Sequence, residues 1–553
     1  MRMFTILLAA LIASVSSENI KDRESLLVHI SSGLVRGYKD IHEDVFVFNG
    51  IPYATAPTGT ERFKGPLPPP SWLHQFEAVD DRTICPQITL LDLPMEGKIM
   101  KEDCLIANVY VPRTESKNLS VVVYVHGGGF VTGYGNMLPP KKLVRSQNVI
   151  GVTFNYRLGA HGFLCLGTED VPGNAGMKDQ VALLRWVKKN IAGFGGNPNE
   201  VTIAGYSAGS ASVDLLMLSK MAEGLFNKVI PESGVTISPF TVQIDPIQNA
   251  KKYARLVDIH DVEDLSELEN IFKKMPYQIL QSGNALNSKD FTFPNVPCVE
   301  KDNGQEMFLK EDPMNILKRG DFPKLPILHG FANMEGLMSI HRFDLWKKEM
   351  NENFADFLPA DLNFKSKESK ALVAGKLKEF YFGDKLIDYD AVLQYVDFMS
   401  DGFVVCPTLR AINYLTKAGH NEIYLYEYSY TDEYTPFVPH TTVRGADHCA
   451  QSFAVLDGLE IEPFSSNKEL AKMKSIMREL WGNFIKNGKP TASGTPVWTP
   501  VGSNGSPYMT LKLDSELRSS LLAKRCVVWN KIYESHYNYP GPPASPLQKH
   551  NEL

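Results

Sequence analysis

A glycine-bounded turn, GYSAG at residues 205–209, constrains this chain more than any other feature of its sequence. It follows the apolar run 201–204, which favours a buried strand, and it leads into helix-forming sequence. In such a strand–turn–helix the serine is lifted out at the edge of a sheet, and side chains two positions before and after it would collide with neighbouring backbone. Both positions are glycine, Gly205 and Gly209. The pattern predicts Ser207 as an exposed nucleophile; an ordinary glycine-rich turn is the alternative.

A second motif lies upstream, where the β-branched run 121–125 leads into HGGG at residues 126–129. Consecutive glycines leave backbone N–H groups unshielded, and such groups can bind the negatively charged oxygen of a tetrahedral intermediate. We predict that Gly128, Gly129 and Ala208 supply them. A phosphate-binding loop is the alternative, but it would need Lys-Ser or Lys-Thr after the glycines, and this chain continues with FVTGY. The two motifs in this order indicate an α/β-hydrolase.

Several longer segments are more specific than either motif. They include EDCL at 102–105, NVYVP at 108–112, NYRLG at 155–159, FGG at 194–196 and VTI at 201–203. In these segments the chain resembles a known family, the type-B carboxylesterases, which also include cholinesterases and the non-catalytic neuroligins. Within that family, Tyr206 and the segment 209–212 are most similar to insect esterases, and to those of Lepidoptera in particular. The resemblance implies an ester hydrolase that works through a serine, a glutamate and a histidine.

The coarse pattern along the chain is α/β. Strand-like and helix-like segments alternate, which predicts a large, mostly parallel central sheet covered by helices on both faces. The charged regions 240–320 and 340–400 are expected to form helical insertions near the mouth of the active site. Because one family's motifs spread over most of the 553 residues, we expect a single domain over residues 18–539. The predicted strands are 121–125, 149–154, 201–204, 324–328 and 422–428, and the predicted helices are 177–191 and 468–486.

Two downstream residues are candidates to activate the serine. A serine hydroxyl needs a base within hydrogen-bond reach, and histidine suits because its ordinary pKa lies near physiological pH. In this fold the acid and then the histidine follow the serine along the chain. His448 comes after the 422–428 strand and matches the family's G-x-x-H, while Glu335 matches its G-x-x-x-x-E-G. Asp344 is the alternative acid.

Further residues have roles that only the family resemblance implies. Ser233, in the segment ESG, matches a family serine close to the acid, and His126 is expected to brace the oxyanion loop. Tyr206 stands where glutamate is frequent, and Gln451 stands where an acidic residue is common, so both reduce negative charge near the active-site gorge. The segment 85–104 contains no tryptophan, so the cation-binding platform of cholinesterases is absent.

These departures predict a neutral, lipophilic ester as the substrate. Xenobiotic esters, odorant or pheromone esters and juvenile hormone all fit the insect resemblance, although hormone-specific enzymes usually carry glutamine at the position of Tyr206. Two other functions are open alternatives: a neuroligin-like binding protein, and a stoichiometric scavenger that traps organophosphates on Ser207. The predicted chemistry needs no organic cofactor or metal ion, and no Cys/His cluster has zinc-ligand spacing.

The ends of the chain and the cysteines predict the secretory pathway. Residues 1–17 have the charged start, short apolar core and small residues of a signal peptide. The proline-rich tail 540–553 ends in HNEL, which is similar to lumenal retention signals. We therefore favour the endoplasmic reticulum lumen over secretion, with a retention receptor as the expected partner. The net charge of −6 argues against nucleic acid as a partner, and no membrane span is expected.

Seven cysteines suit an oxidising compartment. The family resemblance pairs Cys85 with Cys104, and the odd count leaves at least one thiol free. Asn118 and Asn504 begin glycosylation sequons. Five cysteines have no predicted partner: Cys165, Cys298, Cys406, Cys449 and Cys526.

Overall fold

The computed structural model describes residues 20–88, 95–282, 288–458, 467–502, 506–519 and 523–544. The predicted signal peptide, the second sequon at Asn504 and the HNEL ending lie outside these residues. The described strands are β1 Ser25–Ile30, β2 Gly33–Lys39, β3 Val45–Pro52, β4 Phe76–Glu77, β5 Thr83–Ile84, β6 Ile99–Met100, β7 Ile106–Pro112, β8 Leu119–Val125, β9 Ile150–Phe154, β10 Gly196–Tyr206, β11 Lys228–Glu232, β12 Ile327–Ala332, β13 Ile423–Tyr428, β14 Tyr508–Leu511 and β15 Glu516–Arg518.

A 13-stranded sheet runs through the described part of the chain. Its centre is parallel, in the order β9, β8, β10, β11, β12, β13, β14. Antiparallel strands β1, β2, β3 and β7 extend one side, where β4 pairs with β2 in parallel, and β15 closes the other. Strands buried on both faces give the apolar runs that the sequence reveals. Strands β1 and β2 contain exposed residues and have mixed sequences; neither they nor the apolar strand β3 are among the predicted strands.

One predicted strand is displaced. The strand expected at 324–328 begins at Ile327 and continues to Ala332. Pro326 has no N–H to donate to a strand ladder, whereas Gly330 and Ala332 pair with residues of β13. The displacement moves the end of the strand to three residues before Glu335.

The helices cover both faces of the sheet. Val121, Val123 and Val125 of β8 pack in the core on one face, whereas Val122 and Tyr124 pack in the core on the other, because successive side chains of a strand point to opposite faces. The described α-helices are Lys141–Gln147, Gly159–Phe163, Ala175–Asn190, Ala208–Leu218, Pro246–Leu256, Leu265–Lys274, Tyr277–Leu280, Pro313–Arg319, Phe343–Glu352, Lys367–Phe382, Val392–Ser400, Cys406–Lys417, Ala450–Val455, Lys468–Asn487 and Ala523–His536.

The two charged regions are helical insertions, as predicted. The first lies between β11 and β12, and the second between β12 and β13. The second insertion contacts the segment that follows β12, because the Ser400 hydroxyl oxygen accepts the N–H of Gly336 at 2.8 Å. A π-helical turn, Asp401–Val405, follows directly.

Three disulfides cross-link the described residues. They join Cys85 to Cys104, Cys165 to Cys298, and Cys406 to Cys526. Cys449 is the free cysteine and is buried. No helix in the described ranges combines the length and the apolar character needed to cross a membrane.

Candidate active site

Ser207 occupies a strained turn between β10 and the helix Ala208–Leu218. Its φ of 55° and ψ of −122° lie in a region that residues with a Cβ rarely adopt. A Cβ added to Gly205 would lie 2.4 Å from the carbonyl oxygen of Gly209, and one added to Gly209 would lie 2.2 Å from that of Val125. These are backbone atoms, so neither collision can be relieved by a rotamer change. Both glycines of the GYSAG motif are therefore sterically required.

The structure brings Ser207, His448 and Glu335 together. His448 Nε2 lies 3.0 Å from Ser207 Oγ, and its Nδ1 hydrogen-bonds to Glu335 Oε2. With Nδ1–H donated to the carboxylate, Nε2 is free to accept the serine proton. Asp344, the alternative acid, is exposed on the helix Phe343–Glu352 and does not contact His448.

The carboxylate of Glu335 is fully buried and held by several donors. Its Oε1 accepts the Ser233 hydroxyl at 2.6 Å and the Ala332 N–H at 2.7 Å. Gln451 is also fully buried and donates from Nε2 to Ser233 Oγ at 2.6 Å. Gln451 therefore lies behind the acid and not on the gorge wall, where the sequence interpretation put its effect. Charge-assisted bonds of this kind fix the orientation of the carboxylate towards His448.

The HGGG loop lies directly beside the nucleophile. A Cβ added to Gly127 would lie 3.0 Å from the Cβ of Ser207, and Gly128 and Gly129 have φ values of 103° and 62°. Within the described residues nothing accepts a hydrogen bond from the N–H of Gly128 or Gly129. Ala208 is the first residue of its helix, where an N–H has no partner inside the helix. The loop and the helix start thus contain the three candidate donors, the N–H groups of Gly128, Gly129 and Ala208.

His126 lies under this loop in a buried position. Its Nδ1 is 2.9 Å from the Gly127 carbonyl oxygen, and its ring stacks on Tyr156 at a centroid distance of 4.4 Å. The Tyr156 hydroxyl donates to the His126 carbonyl oxygen at 2.9 Å. Burial lowers the pKa of His126 to about 4, so the ring is neutral at physiological pH. These contacts fit a bracing role.

Tyr206, the second departure from the family pattern, is only 7% exposed. Its ring lies between those of Tyr124 and Phe453, each at a centroid distance of 6.1 Å. Tyr206 therefore joins the core on the face of the sheet that the helix Lys468–Asn487 covers. It places an apolar ring, and no carboxylate, next to the nucleophile.

Phenylalanines from separate segments form a wall beside the catalytic residues. Phe403 lies 6.1 Å from the ring of His448 and stacks on Phe240 at 4.5 Å. Phe291 and Phe293 pack against Phe403, each at 6.2 Å. No sequence motif indicates this wall, because its members are far apart in the chain. The one local signal, the paired phenylalanines of the segment FTF at 291–293, lies within a region interpreted only as an insertion.

The remaining predicted positions lie away from this site. Asn118 is exposed in the turn before β8, with a φ of 60°. Cys85 and Cys104 are joined in the buried disulfide described above. Among the residues with described positions, no group of three or more His, Cys, Asp or Glu side chains could hold a metal ion.

Comparisons with known proteins identify the family of the chain. A sequence profile of the carboxylesterase family matches residues 24–529. Esterase FE4 of Myzus persicae is 32% identical over 86% of this chain and 87% of its own length, and juvenile hormone esterase of Heliothis virescens is 32% identical over 91% and 92%. The crystal structure of juvenile hormone esterase from Manduca sexta, with OTFP covalently attached, superposes with a TM-score of 0.82 at 29% identity, covering 92% of this chain and 100% of that one. The chain therefore belongs to the carboxylesterase family, has the α/β-hydrolase fold and is a carboxylic ester hydrolase.

Proposed function

We propose that this carboxylesterase hydrolyses neutral, lipophilic esters through an acyl-enzyme on Ser207. The observation that carries the proposal is the continuous hydrogen-bonded chain from Ser207 through His448 to Glu335. A serine, a base that accepts its proton and an acid that orients the base are the parts needed for nucleophilic ester cleavage.

The reaction has two halves. In the first, His448 Nε2 takes the proton of Ser207 while Oγ attacks the ester carbonyl, and the resulting imidazolium then gives that proton to the departing alcohol. In the second, His448 removes a proton from water, the hydroxide attacks the acyl carbonyl, and the proton returns to Ser207 as the acid leaves. Glu335 holds Nδ1–H and stabilises the imidazolium without taking the proton.

The negative charge that forms on the carbonyl oxygen needs donors at the same place in both halves. We assign this role to the N–H groups of Gly128, Gly129 and Ala208, for which no acceptor is present among the described residues. Removal of one such donor typically lowers kcat by about 10²- to 10³-fold. Since these donors are backbone groups, only changes that displace the loop can remove them.

The phenylalanine wall supports an apolar acyl or alcohol group. Phe240 and Phe403 are almost fully buried and carry no charge. With tyrosine at position 206 and glutamine at position 451, neither residue adds a negative charge near the triad, which removes one means of attracting a cationic substrate. We therefore favour xenobiotic and odorant or pheromone esters; juvenile hormone, named for two relatives, is the candidate to compare with them.

Turnover by the purified full chain tests this proposal. We expect hydrolysis of 4-nitrophenyl acetate, butyrate and octanoate, little hydrolysis of a choline ester, and no turnover by Ser207→Ala. Stoichiometric labelling of Ser207 by an organophosphate with no ester turnover would instead make the protein a scavenger. A Ser207→Ala variant that keeps wild-type turnover would disprove the assignment of the nucleophile.

The same wall gives a substrate test with a matched control. Phe403→Ala should shift the preference towards longer acyl chains, because it removes a ring 6.1 Å from His448. Phe380→Ala changes a phenylalanine that is 43% exposed and should leave the chain-length profile unaltered. An unaltered profile in both variants would place the substrate elsewhere.

For the cellular location we propose residence in the endoplasmic reticulum lumen, through capture of the HNEL ending by a retention receptor. The three disulfides are typical of a secretory-pathway protein. Removal of residues 550–553 should move esterase activity from cells to medium. Equal secretion of both forms would make the protein a secreted enzyme.

A further inference from the structure

We infer that Glu232 is a positioning residue, whose buried carboxylate fixes the segment carrying His448 relative to the nucleophile. The inference rests on the proposed roles of Ser207, Glu335 and His448. It concerns a residue that touches none of the reacting atoms and would act through its neighbours.

The backbone of Glu232 already contacts the nucleophile. Glu232 is the last residue of β11, and its carbonyl oxygen accepts the N–H of Ser207 at 2.8 Å. In the sheet it is the parallel partner of Tyr206. The backbone position from which the Glu232 side chain extends is therefore fixed relative to the GYSAG turn that carries Ser207.

The carboxylate reaches the segment that carries the histidine. Oε2 accepts the hydroxyl of Ser452, and Oε1 accepts the hydroxyl of Tyr426 on β13. Ser452 lies on the helix Ala450–Val455, which starts two residues after His448. One fully buried side chain thus connects β11, β13 and the helix that follows His448.

The acid is linked through the adjacent residue. Ser233 donates its hydroxyl to Glu335 at 2.6 Å. Residues 232 and 233 together therefore contact all three parts of the triad: Ser207 through a carbonyl, Glu335 through a hydroxyl, and the His448 segment through Ser452.

The environment of the Glu232 carboxylate lowers the stability of the folded protein. No lysine or arginine of the described chain pairs with Glu232, and burial raises its pKa to about 7. Burying a carboxyl group without a cation lowers stability. A residue that serves only the fold would be expected to stabilise it, whereas a positioning residue can be retained at a cost in stability.

Turnover and stability measured on the same variant therefore distinguish a positioning role of Glu232 from a purely structural one. Glu232→Gln keeps the size of the side chain but puts an amide donor against a hydroxyl donor. We expect kcat to fall by about 10- to 10²-fold, since small displacements of a catalytic group have effects of this size, with KM unchanged and the melting temperature unchanged or higher. Ser452→Ala, which cuts the link to the histidine segment alone, should lower kcat in the same direction.

Asp214→Asn is the matched control. Asp214 is another buried carboxyl without a cationic partner, and it accepts the Thr236 N–H at 2.7 Å without contacting the triad. Its kcat should equal that of the wild type. Wild-type kcat in both Glu232→Gln and Ser452→Ala, or a loss of kcat that only follows a loss of folded protein, would overturn the inference. In contrast, unimpaired turnover in Ser207→Ala would contradict the proposed function itself.

Discussion

Ser207 and His448 lie 3.0 Å apart but are held by different kinds of contact. Ser207 is fixed by backbone collisions within a five-residue turn and by its place between two central strands. His448 lies after the last residue of β13 in a segment whose position depends on side-chain hydrogen bonds to Glu335 and, through Ser452, to Glu232. Ser207, the proposed nucleophile, is thus positioned by local sterics, and His448, the proposed base, by contacts between distant parts of the chain.

The largest expected loss of kcat comes from changing Glu335, which holds His448. Glu335→Gln keeps the size of the acid but can present an amide N–H to His448 Nδ1, which favours the wrong tautomer. We expect kcat to fall by about 10⁴-fold, as in serine hydrolases that lose this charge. The exposed Asp344→Asn is the control and should retain wild-type kcat. A steady-state comparison of the two variants measures the effect; near-equal rates would reject Glu335 as the acid.

The next effect tests the nucleophile side. Gly209→Ala puts a Cβ 2.2 Å from the carbonyl oxygen of Val125, so the elbow must shift. We expect a loss of about 10²-fold in kcat together with about 2 kcal/mol of stability. Gly375→Ala, in the helix Lys367–Phe382 with no atom within 4 Å of the new Cβ, should retain activity and gain up to about 1 kcal/mol. Urea unfolding and ester turnover compare them; equal behaviour would mean that the turn tolerates a side chain.

A smaller effect on kcat is expected from the hydrogen bond between Ser233 and Glu335. Ser233→Ala removes one of the donors to Glu335 Oε1 and leaves the Nε2 of Gln451 without its acceptor. The Ala332 N–H still holds the carboxylate, so we expect kcat to fall by only about 10-fold, the value of one hydrogen bond to a charged group. Ser233→Thr, which keeps the hydroxyl, should restore much of that loss. A full 10⁴-fold loss in Ser233→Ala would make the serine as important as the acid.

The smallest expected effect changes stability alone. Burial raises the pKa of Asp214 to about 7, above the ordinary value of about 3.9 for an unfolded aspartate. Between these pH values the folded state binds more protons, so the contribution of Asp214 to stability is lost as the pH rises. Asp214→Asn removes this loss, and its advantage in unfolding free energy should be about 2 kcal/mol larger at pH 8 than at pH 5. Chemical denaturation at both pH values measures it; a constant difference would contradict the raised pKa.

The comparison also explains what the sequence could predict. The GYSAG turn and the HGGG loop could be predicted from the sequence because their geometry depends on residues within a few positions of each other. The buried central strands could be predicted because they are continuous apolar runs. The ends of the strands were predicted less accurately. Because Pro326 cannot donate to the ladder, β12 begins at Ile327 and ends closer to Glu335 than the apolar pattern indicated.

Contacts between distant segments could not be predicted in this way. The pairs Cys165–Cys298 and Cys406–Cys526 are separated by 133 and 120 residues, and spacing alone does not select a partner. The phenylalanine wall and the carboxylate of Glu232 likewise depend on which segments the fold brings together. Glu232 carries no pattern of its own beyond its place in the segment ESG.

The disulfide between Cys406 and Cys526 has a consequence for protease resistance. It closes a covalent ring that contains His448, β13 and β14. A protease that cuts the exposed loop around Val497, which is 84% exposed, would break the ring at one point only. The two fragments would stay joined and migrate as one species on a gel until the sample is reduced. The part of the chain that carries His448, the proposed base, therefore cannot be released by a single cut within this ring.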